Sequence, residues 1–498
     1  MAENDAPGGV VASPTYMGDI RFFFRPEDVQ HMAFYGIDLA TYDGLKKHAL
    51  QVYIATALPN PEMPPDSAGQ WSADRSLTFK NWILQGYQLG TATAQPTGKF
   101  QAMAAPRDRV RKNAASLSAA EIEALKAAFT GLMQRDPKNA DDSVDPNSYF
   151  GLAGLHGLPG IWCLHHSFPF NPWHRVYIKQ FEDQLRSIPG CEDVTLPYWD
   201  FTTPLPALLK ESPFAAYSLP QALKGQAFPY TTQRYPDATI AQKMEHYRVW
   251  DDVATSLNQS LWGDYNTNGY QDYSIQAHDG GHLATGPTMA DQDVSAFDPV
   301  FWFYHCNIDR LWLTWQQPPV DATTLIGFKT TIAAGDADWL SPGLNALPPF
   351  TTTSDDTIAF GIAYDELAVR SQEVALENKT GSVSAAHRFS IKRTDPVSVR
   401  VKDIDRLGIP GSFEVNLLAD GEVIATRAFF QPKSPRDCAN CRQRALVNID
   451  FRIDADKILD RQLSIEIEVP RLEESGTQFP LSQAGNPTIN ARLLLGEE

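Results

Sequence analysis

The chain has 498 residues, a formal charge of −18, 43% hydrophobic and 11% aromatic content. That length allows two to three domains with a large core. The negative field excludes a nucleic-acid partner, since a phosphate backbone repels it. No run is long and apolar enough to span a bilayer, and the N-terminus has neither basic start nor apolar centre. The sequence-based expectation is a cytoplasmic protein, or a processed one. Five cysteines, Cys163, Cys191, Cys306, Cys438 and Cys441, are too few for a disulfide framework.

In chain order, residues 1 to about 20 read as an extended arm. A Ser cap at Ser116 or Ser118 opens an amphipathic helix, SLSAAEIEALKAAFTGLMQRD. His174 opens a second helix, HRVYIKQFEDQLRSI, ended by Pro189-Gly190. LPYWDF is a short aromatic segment, and residues 200–245 are Pro-rich and irregular. AHDGGHLAT is expected on a third helix despite Gly280 and Gly281. FWFYHCNIDRLWLTWQQ is a fourth, stopped by Pro318-Pro319. After about residue 370 the period changes to two. HRFSIKRT, SVRVKDI, SFEVNLLADGEVIATRAFFQ, ALVNIDFRID and LSIEIEV alternate apolar and polar positions, with Asp420-Gly421 as a hairpin turn. The fold class expected is a mainly α core followed by an all-β, sandwich-like domain. The boundaries are 1–370 and 371–498.

Six of the eleven histidines fall into two triplets. The first is His156, His165 and His174, spaced nine residues apart. The second is His278, His282 and His305. Histidines four apart share one helix face. A polar ring on the aromatic helix around His305 needs a partner. Each histidine alone reads as well as a satisfied core residue. Together, three imidazoles per metal suit copper, whereas structural zinc prefers four ligands and often cysteine. His166 is adjacent to His165 but points elsewhere, into the surroundings of the site or to the surface. Cys163 is either an inert small hydrophobe or bonded to the imidazole carbon of His165. Asp309, one turn after His305, either accepts a ligand ring's N–H or pairs with Arg310 or another base.

These strings resemble the type-3 copper proteins: tyrosinases, catechol oxidases and molluscan-type oxygen carriers. The match rests on residues 150–320: HHSFPFNPWHR, LPYWDF, HxxxH and FDPVFWFYHCNIDRLW. The resemblance implies a four-helix bundle with two copper ions at its centre, one on each histidine triplet, and dioxygen as co-substrate. It implies hydroxylation of monophenols and oxidation of catechols to o-quinones. It also implies a Cys163–His165 thioether. Phenolic and catecholic small molecules are then the partners. Asp279 would help accept the phenol proton, and Leu283 would wall the pocket. Relatives hold a water on a Glu that YQDYSIQAH lacks, so Gln271, Asp272 or Gln276 would substitute. Tyr304 replaces a frequent His. The β-rich tail resembles a lid that inserts a side chain over the metals. Phe429 is preferred as that plug over Phe430. Cys438 and Cys441 would handle copper, or form a surface disulfide or zinc half-site. Competing readings are a catechol oxidase without monophenol hydroxylation and an oxygen-binding protein. Exposed β edges in the tail are compatible with homo-oligomers.

Overall fold

The computed structural model describes residues 10–493 apart from 12, 26–27, 30–31, 33–36, 57–70, 86, 91–108, 140–142, 264–268, 321, 324–327, 329–346, 351, 371–395 and 472–473. The expected strand HRFSIKRT and residues 1–9 of the expected arm lie outside the described residues. The chain divides into two compact units, 1–107 with 328–356, and 108–327 with 357–498.

The first unit holds α1 (Tyr42–Thr56) and α2 (Ala73–Leu84). Its aromatic core joins Trp71, Phe79 and Trp82, with ring centroids 5.2 and 5.5 Å apart along that series.

The second unit carries every residue of the histidine triplets. Its helices are α3 (Ala119–Gln134), α4 (Tyr149–His156), α5 (Phe170–Arg186), α6 (Asp237–His246), α7 (Val249–Leu257), α8 (Tyr270–Thr285) and α9 (Val300–Gln316). Ser118, not Ser116, caps α3, in a capping box with Glu121. The reciprocal bonds satisfy backbone donors at the helix start. Leu125, Ala128, Phe129 and Leu132 are its buried stripe, at helical spacing. α5 starts four residues earlier than expected, at Phe170, so His174 sits one turn inside it. The stretch expected to be irregular contains α6, which Pro236 precedes at its N-cap. Proline suits a helix entrance because the first turn has no use for its missing N–H.

α8 and α9 are buried almost all round, as central helices must be. Glycines let them approach. A Cβ at Gly281 would lie 2.1 Å from the Tyr304 hydroxyl. Phe181 of α5 stacks on Trp302 of α9, centroids 3.6 Å apart. No helix among the described residues is long and apolar enough to cross a membrane.

The C-terminal part is a two-sheet sandwich. β1 (Arg109–Arg111) pairs with β2 (Ile362–Tyr364) beside the helices. The sandwich strands are β3 (Pro396–Asp405), β4 (Phe413–Ala419), β5 (Glu422–Phe429), β6 (Leu446–Asp454), β7 (Leu463–Arg471), β8 (Glu474–Phe479) and β9 (Thr488–Leu493). One sheet runs β6-β3-β9, the other β5-β4-β7-β8. Val397, Val399 and Val401 of β3 face Val415 and Leu417 of β4 in a common core, the inward half of the two-residue period. Asp420 and Gly421 both have positive φ, 51° and 83°, and turn β4 into β5. A short α10 (Ala439–Gln443) carries the cysteine pair.

Candidate metal centre

All six triplet histidines lie within one cluster in the helical core, each at most 2% exposed. His156 ends α4, His174 lies in α5, His278 and His282 in α8, His305 in α9; His165 comes from the loop before α5. The triplets interleave. His174 stacks on His305 at 4.5 Å between centroids, and His165 lies 5.2 Å from His278. Potential ligand atoms of His278, His282 and His305 all lie within 4.8 Å of one another, as do those of His156, His174 and His305.

The outer ring nitrogens explain the orientation. His174 Nδ1 donates to the Phe170 carbonyl and His282 Nδ1 to the Met289 carbonyl, both at 2.8 Å. His278 Nδ1 donates to the Asp279 carboxylate at 2.9 Å, and His156 Nδ1 meets Ser295 Oγ at 3.2 Å. A proton held on Nδ1 leaves the lone pair on Nε2, pointing inward. Nε2 of His174 and of His278 is buried without a hydrogen-bond partner. His156 and His165 face each other Nε2 to Nε2 at 3.1 Å, as do His282 and His305. Inward lone pairs at such distances repel unless a cation sits among them. Burial first, and then mutual repulsion, hold the pKa of His156, His165, His282 and His305 well below the ordinary imidazole value. Neutral imidazoles, closely set and dry, are the donor set that a pair of copper ions requires.

Asp279 is buried, not solvated. Its carboxylate accepts from His278, from His166 Nε2 at 2.7 Å and from the backbone N–H of Phe430 at 3.1 Å. These contacts outweigh burial and hold its carboxyl well below the usual range. His166 has φ +53° and turns from the cluster, under Phe429 and beside Arg406. Leu283 is buried directly after His282. Tyr304 donates its hydroxyl to the His278 carbonyl at 2.9 Å.

The structure departs from three sequence expectations. Phe430, rather than Phe429, lies over the histidines: its ring is 4.1 Å from His282 at 19°, and 5.3 Å from His165. Phe429 stacks on His166 at 4.1 Å instead. Strand alternation sends the two rings opposite ways, and sequence adjacency cannot say which goes inward. Among the described residues Asp309 pairs with no histidine ring. It pairs with Arg175 at 2.5 Å and Arg111 at 3.2 Å and accepts from Tyr364 at 2.6 Å. A second buried carboxylate, Glu182, completes this charge cluster with Arg111 at 3.0 Å. Two buried arginines claim the carboxylate more strongly than a neutral ring N–H does. Finally, Cys438 and Cys441 form a disulfide that is buried, not on the surface. Asn440 between them donates to the His165 carbonyl at 2.7 Å.

Cys163 stands as a free thiol, with Sγ 3.3 Å from His165 Nδ1 and accepting from Gln292 at 2.9 Å. Burial pushes its pKa up. Of the three proposed stand-ins for the missing Glu, Gln271 donates to the Ser167 carbonyl and Asp272 accepts the Gly269 N–H. Gln276 lines a cavity of about 40 Å³ with Asp279 and His166. Ser295, Gln292 and Asn440 carried no signal in the sequence. Nor did the Phe170 carbonyl, because the sequence reading started α5 at His174 itself.

Residues 146–233 and 209–318 match the common central domain of tyrosinase. A hemocyanin unit, beta-C chain unit D of Helix pomatia, is 28% identical over 229 residues, covering 42% of this chain and 51% of that protein. The chain spans about half or less of the length of the curated relatives it matches. A functional unit of octopus hemocyanin superposes with TM-score 0.54 at 20% identity, covering 77% of this chain and 99% of that one. Tyrosinase from Burkholderia thailandensis does so with TM-score 0.54 at 19% identity, covering 77% and 100%. The central stretch of the chain, residues 146–318, thus matches the common central domain of tyrosinase.

Proposed function

We propose that the chain is a copper-dependent tyrosinase that hydroxylates monophenols beside the hydroxyl and oxidises o-diphenols to o-quinones. His156, His165 and His174 would hold one copper and His278, His282 and His305 the other. The bound metals would supply dioxygen binding and electron transfer. The observation that carries the reading is Asp279, a buried carboxylate fixed at the rim of the histidine cluster. Its three partners include the backbone N–H of Phe430. When that segment withdraws, one carboxylate lone pair is freed beside the space the Phe430 ring occupied. A phenol entering there would find an acceptor for its proton within reach. Leu283, buried directly after His282, would wall that space. With Phe430 seated, the intact chain should be latent. The Cys163–His165 thioether belongs to this reading too, since the sulfur already lies beside the ring.

A second reading is reversible oxygen binding. It is favoured by Phe430 covering the histidines, which would keep phenols out while admitting a gas. A catechol oxidase lacking the first step is the alternative within the enzymes. The deciding experiment is oxygen uptake by copper-loaded protein with L-tyrosine, then L-DOPA, before and after limited proteolysis of the tail. Uptake with both, rising on cleavage, supports the tyrosinase. Uptake with L-DOPA alone removes the role given to Asp279. Bound copper without uptake in any state favours oxygen binding.

A further inference from the structure

A groove of about 670 Å³ lies away from the histidine cluster, where the helical core meets the sandwich. The core side contributes His246 and Arg248, from the end of α6 and the residue before α7; the sandwich side contributes residues 423–426 of β5, Arg452 and Asp454 at the end of β6, and Lys457 in the turn after it. β5 and β6 are each an edge of their sheet. Four basic side chains therefore line the groove against one carboxylate, in a chain whose net charge is −18.

The basic groups are not spent on internal pairs to the same degree. Arg248 is held by Asp251 at 2.9 Å and donates to the Arg452 carbonyl at 3.0 Å. His246 stands 4.0 Å from Glu414. Arg452 and Lys457 are exposed and have no ion-pair partner among the described residues. Two unpaired cations in a concave site concentrate positive potential, because the low-dielectric walls focus the field. The volume falls in the range that accommodates a small organic ligand. Val423 is 49% exposed on the β5 side and offers an apolar wall.

We infer that this groove binds a small, multiply charged organic anion, of the class of phosphate or sulfate esters, carried on an apolar or aromatic body. Arg452 and Lys457 meet the charges, Arg248 closes the core side, and Val423 packs against the body. A ligand seated there touches both helical core and sandwich. By linkage it stabilises the arrangement in which the two are joined. β5 runs on from the groove to Arg427, which pairs with Asp252 of α7 at 2.6 Å, and then to Phe429.

The probe is 1,3,6,8-pyrenetetrasulfonate, a fluorescent polyanion with no phenol. Its anisotropy is followed as full-length, copper-loaded protein is added. Saturable binding is expected, weakening as salt rises. Arg452→Glu and Lys457→Glu should each weaken it about tenfold or more, as loss of one charge-assisted contact and gain of repulsion require. Lys224→Glu, which makes the same change in charge on an exposed surface outside the groove, should leave it within about twofold, the salt-screened remainder. The probe should also raise the melting temperature of the wild type and not of Arg452→Glu. Absence of saturable binding overturns the inference, and so does equal weakening in all three variants.

Discussion

The ring of Phe430 lies on His282 with centroids 4.1 Å apart and planes 19° from parallel, so the sandwich domain closes the histidine cluster with an aromatic side chain. Phe430→Ala should remove that cover. The intact variant should oxidise L-DOPA without proteolysis, and tail cleavage should add little further. The truncation should cost roughly 3 kcal/mol of stability, since the ring is fully buried. Phe429→Ala should cost a similar amount and leave latency intact. Oxygen uptake and thermal unfolding measured side by side on the two variants check this.

Copper itself should stabilise the fold. The inward ring nitrogens of His174 and His278 have no hydrogen-bond partner among the described residues. Chelation should lower the melting temperature, by about 2.7 kcal/mol of stability for a metal held at a hundredfold excess over its Kd. His278→Ala should bring the copper content, read by elemental analysis, from two per chain towards one.

Asp309→Asn tests whether this carboxylate serves the histidines or the arginines. Loss of its charge leaves Arg175 and Arg111 under-compensated in the core. A cost of roughly 3–5 kcal/mol is expected. Copper stoichiometry at low temperature should stay as in the wild type. A drop in copper without a drop in stability would return Asp309 to the role its spacing suggested.

Asp252 gives a pH prediction. Burial raises its pKa from 3.8 to about 6, against the pull of Arg427. The folded state therefore holds the proton more tightly than the unfolded state. Stability from this group is full below 3.8 and is lost as pH rises through 6. The depressed histidines act in the opposite sense, and their contribution falls away as pH drops below the ordinary imidazole value. Asp252→Asn isolates the first effect. Its stability relative to wild type should rise between pH 4 and 7, by on the order of 1–3 kcal/mol. Denaturant unfolding across that range measures it.

Gly281→Ala should fail for a packing reason. The new methyl would overlap the Tyr304 hydroxyl, which is fixed on the His278 carbonyl. A loss of roughly 1–3 kcal/mol is expected, with only partial relief in the double variant carrying Tyr304→Phe, since the ring edge still crowds the methyl. Thermal unfolding of both decides it.

The parts legible in the sequence were those set by local rules. Nine-residue spacing and the four-residue step brought the histidines together, and Asp420-Gly421 marked the hairpin. The alternating runs marked β3 to β7, whereas β8 and β9 lie beyond them. What stayed hidden depends on direction and on competition between distant groups. Asp309 has the spacing of a histidine partner, but Arg111 lies 198 residues away and Arg175 134 residues away. Phe429 and Phe430 differ only in which side of β5 they leave. α6 was masked by the proline that starts it.

Position 430 is anchored by its main chain, through the N–H that Asp279 accepts. The backbone beneath whatever side chain stands over the histidines is thus held by a contact that does not involve that side chain. Substituting the residue swaps the stopper while its seat in the neck stays as it was. A series at this one site would let the tightness of the closure be graded by ring size and polarity, with the main-chain anchor and the histidines held constant.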